Sequence, residues 1–252
     1  MPNNVLITGA SRRIGRAIAK AFADDGWGIA LHYHQSATEA ETLKEEISAA
    51  GASVVLVKAD LADATDVAKI IPSAVKALGP LHCLVNNAAV FEKDTIADAT
   101  AESFHTHLNT NLLAPMLLTQ SFAQQLPQNV QGNIVNIADQ RVFNLRPEFM
   151  SYTLSKTGLW TLTQTTAMAL APHIRVNAIG PGPTLANTRQ TAAQFKQQQE
   201  SVPLGYGPTP EEIALAVKFI MAAKSMTGEF VSLDGGQHLP IYQSEAKEGV
   251  YE

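Results

Sequence analysis

The sequence predicts an α/β fold: one domain built on a parallel seven-stranded sheet, doubly wound, with helices on both faces. Short β-branched runs alternate with helix-periodic segments from end to end, and such alternation demands parallel strands joined by crossover helices. A covered parallel sheet needs apolar strands throughout, and 46% of the 252 residues are hydrophobic, enough for one large core. No repeat, low-complexity tract or linker divides the chain.

The strand-like runs are Val5–Thr8, Gly28–Tyr33, Val54–Lys58, Leu81–Asn86, Asn133–Ala138, Ile174–Gly180 and Phe230–Leu233. Each is short, rich in Val, Ile or Leu, and bounded by turn-forming residues. Between them, helices are predicted over Ile14–Asp25, Glu39–Ala50, Asp66–Leu78, Glu102–Leu126, Tyr152–Ala171 and Pro210–Ala223. The last opens with Thr209 as N-cap and Pro210 in the first position, where its missing N–H costs nothing. The stretch from Gly182 to Pro208, rich in Gln, Pro and Gly, is too long for a plain connection and is expected to be a substrate-covering loop with a short helix. Residues 1–238 form the expected domain and 239–252 a C-terminal tail, in which Pro240 and the charged Glu245–Glu248 show no periodic pattern.

Composition narrows the function. A net charge of −5 and a pI near 5.8, with Lys and Arg scattered, give no basic field for nucleic acid. The single cysteine, Cys83 in the apolar run Leu81–Val85, cannot pair internally and reads as a small buried hydrophobe in a reducing cytoplasm. Met1-Pro2-Asn3-Asn4 leads straight into a strand, and no stretch has the roughly 18 apolar residues of a membrane span. A soluble, unprocessed cytoplasmic protein is therefore expected, with no membrane partner. No metal is expected either: His105 and His107 stand two apart and cannot share a helix face as i, i+4 ligands would.

The chemistry begins at Thr8-Gly9-Ala10-Ser11-Arg12-Arg13-Ile14-Gly15, which follows the first strand and opens the first helix. Free N–H groups and the helix dipole attract a pyrophosphate there. Arg13 stands in the place of the usual middle glycine, putting a cation beside the phosphates. About 20 residues further on, an NAD site needs an acid for the ribose 2′-hydroxyl. The second strand instead runs into His34-Gln35-Ser36, with no acid before Glu39. His34, Ser36, Arg12 and Arg13 are all able to donate to a 2′-phosphate, so NADPH/NADP is the expected cofactor.

Tyr152 and Lys156 lie four apart, on one face of a helix. The Lys ammonium should stabilise a tyrosinate and hold a ribose, and a nearby cation draws a phenol of pKa ~10 toward working pH. Thirteen residues before Tyr152 stands Asp139, where a Tyr-x-x-x-Lys reductase ordinarily carries Ser. A serine donates to a ketone oxygen. Ionised Asp only accepts, and protonated Asp is able to hand its proton to a ring nitrogen, so the expected substrate is nitrogenous. Asp139, Tyr152 and Lys156 should titrate as a coupled unit. The competing reading of Asp139 is a carboxylate that merely caps the turn after the fifth strand.

Joined to Thr8–Gly15, Asn86-Asn87-Ala88, Asn111 within a long helix, and Pro181-Gly182, these residues make the chain resemble a classical short-chain dehydrogenase/reductase over nearly its whole length. The resemblance implies a Rossmann fold and a homotetramer. It also implies roles: Tyr152 as proton donor, Lys156 as its electrostatic partner and ribose ligand, and Asn111 holding a water in a proton relay. Gly9, Ile14 and Gly15 would cradle the cofactor, Asn87 and Ala88 would flank it, and Asp60 with Leu61 would meet its adenine. Arg13 and Asp139 together are similar to the pteridine reductase branch, as are Leu31-His32-Tyr33-His34 and the pairing of Asn87-Ala88 with Phe91. That likeness implies Phe91 stacked on a flat pterin over the nicotinamide, Arg13 near both phosphate and substrate, and Thr184, after Pro181-Gly182-Pro183, on the nicotinamide amide. Gln35 stands where the branch usually has Arg, and Ala89 where it commonly has a Ser that touches cofactor and substrate. The expected activity is NADPH-dependent reduction of a dihydropterin or dihydrofolate. The alternatives are a carbonyl reductase of the same superfamily and, from another class, a catalytically silent NADP-binding sensor.

Overall fold

The computed structural model describes residues 3–239. Met1, Pro2 and the expected tail from Pro240 onward lie outside the described residues. The seven strands are β1 (Asn4–Ile7), β2 (Gly28–Tyr33), β3 (Val54–Lys58), β4 (Cys83–Asn86), β5 (Gly132–Ile137), β6 (Ile174–Pro181) and β7 (Phe230–Leu233). They form one sheet in the order β3-β2-β1-β4-β5-β6-β7, and every pair is parallel. Side chains alternate between two apolar layers, as a strand period of two requires. Val5 and Ile7 of β1, Cys83 and Val85 of β4, and Val135 of β5 enter one layer; Leu6, Leu84 and Ile134 enter the other.

The helices are α1 (Arg13–Asp24), α2 (Ala37–Ala49), α3 (Ala64–Leu78), α4 (Ala101–Leu108), α5 (Ala114–Gln125), α6 (Met150–Leu170), α7 (Ala192–Glu200) and α8 (Pro210–Ala222). Ile18 and Phe22 of α1 meet Ile213 and Val217 of α8 in the first layer, while Ile70, Phe122 and Leu118 pack in the second. Thr209 caps α8 in a reciprocal capping box with Glu212, as the Thr209-Pro210 pattern predicts. The stretch 182–208 contains one short helix, α7. Among the described residues no helix is long and apolar enough to cross a membrane, and Cys83 is fully buried.

Several boundaries differ from the sequence reading, each for a local reason. Thr8 leaves β1 because its hydroxyl becomes a hub, accepting from the N–H groups of Asn87 and Ala88. Leu81 stays out of β4 because both its backbone groups pair with the Gln125 amide instead of the ladder. The expected single helix Glu102–Leu126 is broken into α4 and α5 by a π-helical segment, Asn109–Leu113. Such segments cost hydrogen-bond geometry and recur at functional sites; this one carries Asn111.

The sheet order reverses at β1, which sends its chain to β2 on one side and neighbours β4 on the other. Loops leaving the carboxyl ends of β1 and β4 diverge there and open a crevice, the position where ligands enter open α/β sheets.

Candidate active site

The crevice has two halves. One is a cavity of about 520 Å³ lined by Gly9, Arg12, Arg13, Ile14, Gly15, His34, Gln35, Ser36, Asp60, Leu61, Asn87, Ala88 and Ala89. The other, about 440 Å³, is lined by Phe91, Asp139, Tyr152, Lys156, Pro181, Gly182 and Thr184. Arg13, Ile14, Asn87 and Ala89 border both, so the halves are continuous.

The first half is shaped by close backbone approach. Gly9 has φ +61°, and a Cβ on Gly15 would collide with the Gly9 carbonyl and the Asn87 amide. Asn87 donates from Nδ2 to the carbonyls of Thr8 and Gly9, tying the turn to β4. Arg13 has φ +55°, a conformation natural to the glycine it replaces and strained for other residues. Its guanidinium donates to the carbonyls of Leu185 and Ala186 at 3.0 and 2.7 Å. Arg13 thereby straps the loop after β6 to the turn after β1. His34 and Asp60 face each other, Nε2 to Oδ2, at 3.8 Å, and Ser36 precedes α2 without using its hydroxyl as a cap.

His32, absent from the sequence-based site, holds the turn from behind. It is buried; Nδ1 accepts from the Gly9 N–H at 3.1 Å, and Nε2 lies 3.2 Å from the Ala59 carbonyl. This pattern requires a neutral ring. Burial, aided by His34, pushes its pKa down to about 4 against the opposing Ala59 carbonyl and Asp60. Since an unfolded histidine titrates near 6.5, only the unfolded chain gains a proton as pH falls from there. Stability is therefore complete above about pH 6.5 and declines toward pH 4, by about 3 kcal/mol if the whole shift is realised. Urea unfolding of wild type and His32→Gln across pH 7.5 to 4.5 checks this; an equally steep decline in the variant would exclude His32 as its source.

In the second half, Tyr152 donates its hydroxyl to Asp139 Oδ2 at 2.7 Å. The other carboxylate oxygen, Oδ1, accepts from the Arg141 N–H at 2.8 Å and caps the short 3-10 turn Gln140–Val142. One oxygen of Asp139 thus meets the Tyr152 hydroxyl while the other caps the turn. Burial pushes its carboxyl above the usual range, opposed chiefly by the Arg141 N–H and the Tyr152 hydroxyl. Burial first, then the charge of Asp139, raise Tyr152 well above an ordinary phenol. The expectation that Lys156 draws Tyr152 toward neutrality does not hold in this geometry. The ammonium donates to the Ile137 carbonyl at 2.7 Å and lies 5.8 Å from the Tyr152 ring centre, so Asp139, in direct contact, prevails. Burial lowers Lys156 itself to about 8, with Asp139 opposing.

Asn111 lines neither half. Its side chain clasps Val90 through both backbone groups and donates to Ser155 Oγ at 3.0 Å, while that hydroxyl donates to the Tyr152 carbonyl. Both amide hydrogens are taken. A relay water would have to be met by an oxygen of this residue, so the side chain itself acts as a clasp between the cleft wall and α6. Asp94 completes the positioning: its carbonyl accepts from Phe149 N–H and its Oδ1 from Ser151 N–H. These bonds satisfy the free N-terminal donors of α6 and explain why it begins two residues before Tyr152.

Phe91 lies in the second half, where its ring stacks on Phe149 (centroids 4.4 Å apart, 2° between planes) and meets Tyr152 edge-on at 4.6 Å. Arg189 covers both phenylalanines, at 5.5 and 5.8 Å, and donates to the Phe91 carbonyl and to Glu92. Thr184 turns its hydroxyl to the Gly182 carbonyl. Phe149, Arg189 and Phe195 were missed in the sequence; an aromatic three residues before Tyr152 was the available signal for Phe149. His107, weighed as a metal ligand, instead bridges the Ser103 carbonyl and the Glu92 N–H. Among the described residues no group of three or more His, Cys, Asp or Glu converges on a point.

A doubly wound sheet, a glycine turn at its switch point and a Tyr-Lys pair on the facing helix define a nucleotide-dependent oxidoreductase of the short-chain type. The chain belongs to the short chain dehydrogenase family, which it matches over residues 3–198. It is similar to the FolM alternative dihydrofolate reductase 1 of Brucella canis, solved with NADP, at 40% identity, TM-score 0.94 and 97% coverage of each chain. It is also similar to an uncharacterised oxidoreductase of Methylorubrum extorquens, 34% identical over 92% of this chain and 96% of the relative. The 3-oxoacyl-[acyl-carrier-protein] reductase FabG of Staphylococcus aureus is 31% identical over 95% of this chain and 99% of its own.

Proposed function

We propose that this oxidoreductase reduces a dihydropterin or dihydrofolate to the tetrahydro state. The chain uses NADP(H), and the first half of the cleft fits that dinucleotide. Gly9 and Gly15 let the turn close on Asn87 and Ala88 with its backbone facing the cavity, Arg13 and the Glu39-paired Arg12 supply positive charge, and His34 and Ser36 supply donors where the half-exposed Asp60 is the one acid lining the cavity among the described residues. When bound, NADPH supplies the hydride, which ends on the carbon of the substrate C=N bond.

The protein's part is the proton. The observation that carries the proposal is the 2.7 Å bond between Tyr152 and Asp139 Oδ2 in the cleft. Two acidic groups with raised pKa values share a proton there, so the pair retains a hydrogen at neutral pH and presents it to the ring nitrogen. Once deprotonated, Asp139 accepts from pterin N–H or amino groups and keeps the ring oriented, which a serine hydroxyl does less well. Phe91 supplies a flat apolar face beside them. The FolM similarity supports the pterin reading, and the FabG similarity supports carbonyl reduction as the second. NADPH consumption with dihydrofolate and dihydrobiopterin, set against a panel of simple ketones and 3-oxoacyl thioesters, separates them; turnover confined to carbonyls would overturn the first.

Arg13→Gly should weaken NADPH more than NADH, because a charge-assisted phosphate contact is worth ~1.5–3 kcal/mol. It should also loosen the loop strapped at Leu185 and Ala186. Fluorescence titration with both nucleotides, with limited proteolysis of residues 183–208, measures the two effects; equal losses for both nucleotides would remove Arg13 from phosphate recognition.

In this reading the enzyme works in the cytoplasm as a homotetramer. Exposed apolar side chains on α5, α6 and α8, including Met116, Met168, Leu215 and Phe219, support assembly. Light scattering on the purified protein tests it.

A further inference from the structure

The second half of the cleft holds polar groups that the proton chemistry leaves unused. Gln140 is 6% exposed, and its Oε1 is buried with no hydrogen-bond partner among the described residues. Its neighbour Arg141 has a buried Nη1 that also lacks one, and forms no ion pair among the described residues. Both residues line the cleft with Asp139 and Tyr152. A buried donor or acceptor without a partner costs stability and persists where a ligand later satisfies it. Arg141 is also anchored: its backbone N–H holds Asp139, and its guanidinium lies over the Phe149 ring at 5.0 Å. The charges lining this half are Arg13, Asp139, Arg141 and Lys156, three cations against one acid, so an anion is favoured there. Arg13 and Lys156 already donate to backbone carbonyls, which leaves Arg141 as the cation with an unused buried donor.

We propose that Gln140 and Arg141 form a subsite for the acylated amino-acid tail of a folate-type substrate, Gln140 accepting from the tail amide N–H and Arg141 binding its carboxylate. The inference rests on the pterin-reductase reading and deepens it, distinguishing a carboxylate-bearing substrate from a tail-less dihydropterin. The match is chemical. An N-acylglutamate carries an N–H and a carboxylate on adjacent positions, the complement of an amide oxygen beside a guanidinium. The stacked Phe91 and Phe149 offer an aromatic wall for the benzoyl ring between tail and pterin.

The test compares dihydrofolate with dihydrobiopterin in wild type, Arg141→Met and Arg141→Lys. In Arg141→Met the ratio of kcat/KM for dihydrofolate to that for dihydrobiopterin should fall at least tenfold, with the loss residing in KM for dihydrofolate. Arg141→Lys should recover part of the ratio. As a readout independent of turnover, 4-aminobenzoylglutamate should inhibit wild type competitively against dihydrofolate, and its dimethyl ester should inhibit at least tenfold less. A parallel fall in kcat for both substrates, with a shifted pH profile, would make Arg141 an electrostatic partner of Asp139 and Tyr152 and overturn the subsite. Wild type that turns over neither pterin would instead overturn the reading beneath it.

Discussion

Tyr152→Phe is expected to lose 10²- to 10⁴-fold in kcat, the usual cost of removing a general acid, while NADPH affinity stays close to wild type. The variant keeps the ring, and with it the edge-on contact to Phe91. It deletes the hydroxyl whose only hydrogen-bond partner among the described residues is Asp139 Oδ2. Because the removed oxygen sits over an acid with a raised pKa, the variant also strands a buried carboxyl, which favours its protonated form further. A residual rate well above the uncatalysed one would then measure how much proton delivery Asp139 manages alone. Single-turnover kinetics and NADPH titration on the same preparation decide it; a near-normal kcat would place the proton source elsewhere.

Asp139→Ser is expected to cut dihydropterin turnover at least tenfold, about 1.4 kcal/mol of transition-state stabilisation, and to lower ketone turnover less or even raise it. The substitution restores a donor suited to a carbonyl oxygen and removes the acceptor suited to ring N–H groups. Serine retains enough reach to cap the 3-10 turn at Arg141, so the effect should be chemical more than structural. Paired assays on both substrate classes test this. Unchanged pterin kinetics would reduce Asp139 to its capping role and favour carbonyl reduction.

The pH profile follows from the same groups. Burial holds the Asp139 and Tyr152 protons to higher pH than free side chains would, so delivery survives at neutral pH and is lost as pH rises. Lys156, lowered to about 8, loses its charge in that alkaline range and removes a cation near the reacting pair. kcat should therefore fall on the alkaline side, with one steep, coupled limb starting near pH 8. Asp139→Ser should separate it, leaving the Lys156 titration. An identical limb in that variant would remove Asp139 from the titrating unit.

Much of this was legible in the chain itself. The alternation of strand-like and helical runs determined a parallel doubly wound sheet, because crossover connections permit no other pairing, and the elements fell within a few residues of their observed bounds. Thirteen of the seventeen residues expected at the cofactor line one cavity, because they follow β1, β2, β3 and β4 at the carboxyl edge of the sheet, while Lys156, Pro181, Gly182 and Thr184 line the adjoining one. The thirteen-residue spacing between Asp139 and Tyr152 brought the two into contact because both sit where a strand or helix meets that same edge.

Tertiary structure decided what those residues face. Arg13 was legible as a cation at the phosphate turn, yet its guanidinium binds carbonyls more than 170 residues away, in a loop whose path depends on packing. Asn111 was legible as part of the site, but a π-helical segment turns its amide onto Val90 and Ser155. Arg141 and Arg189 carry no local signal that distinguishes them from surface residues. Spacing and periodicity report backbone hydrogen bonding and which face is apolar, both set within a few residues. Side-chain partners across a cleft are set by where distant elements come to rest, and in this protein those partners determine that Tyr152 donates to Asp139 and that Arg13 donates to the loop after β6.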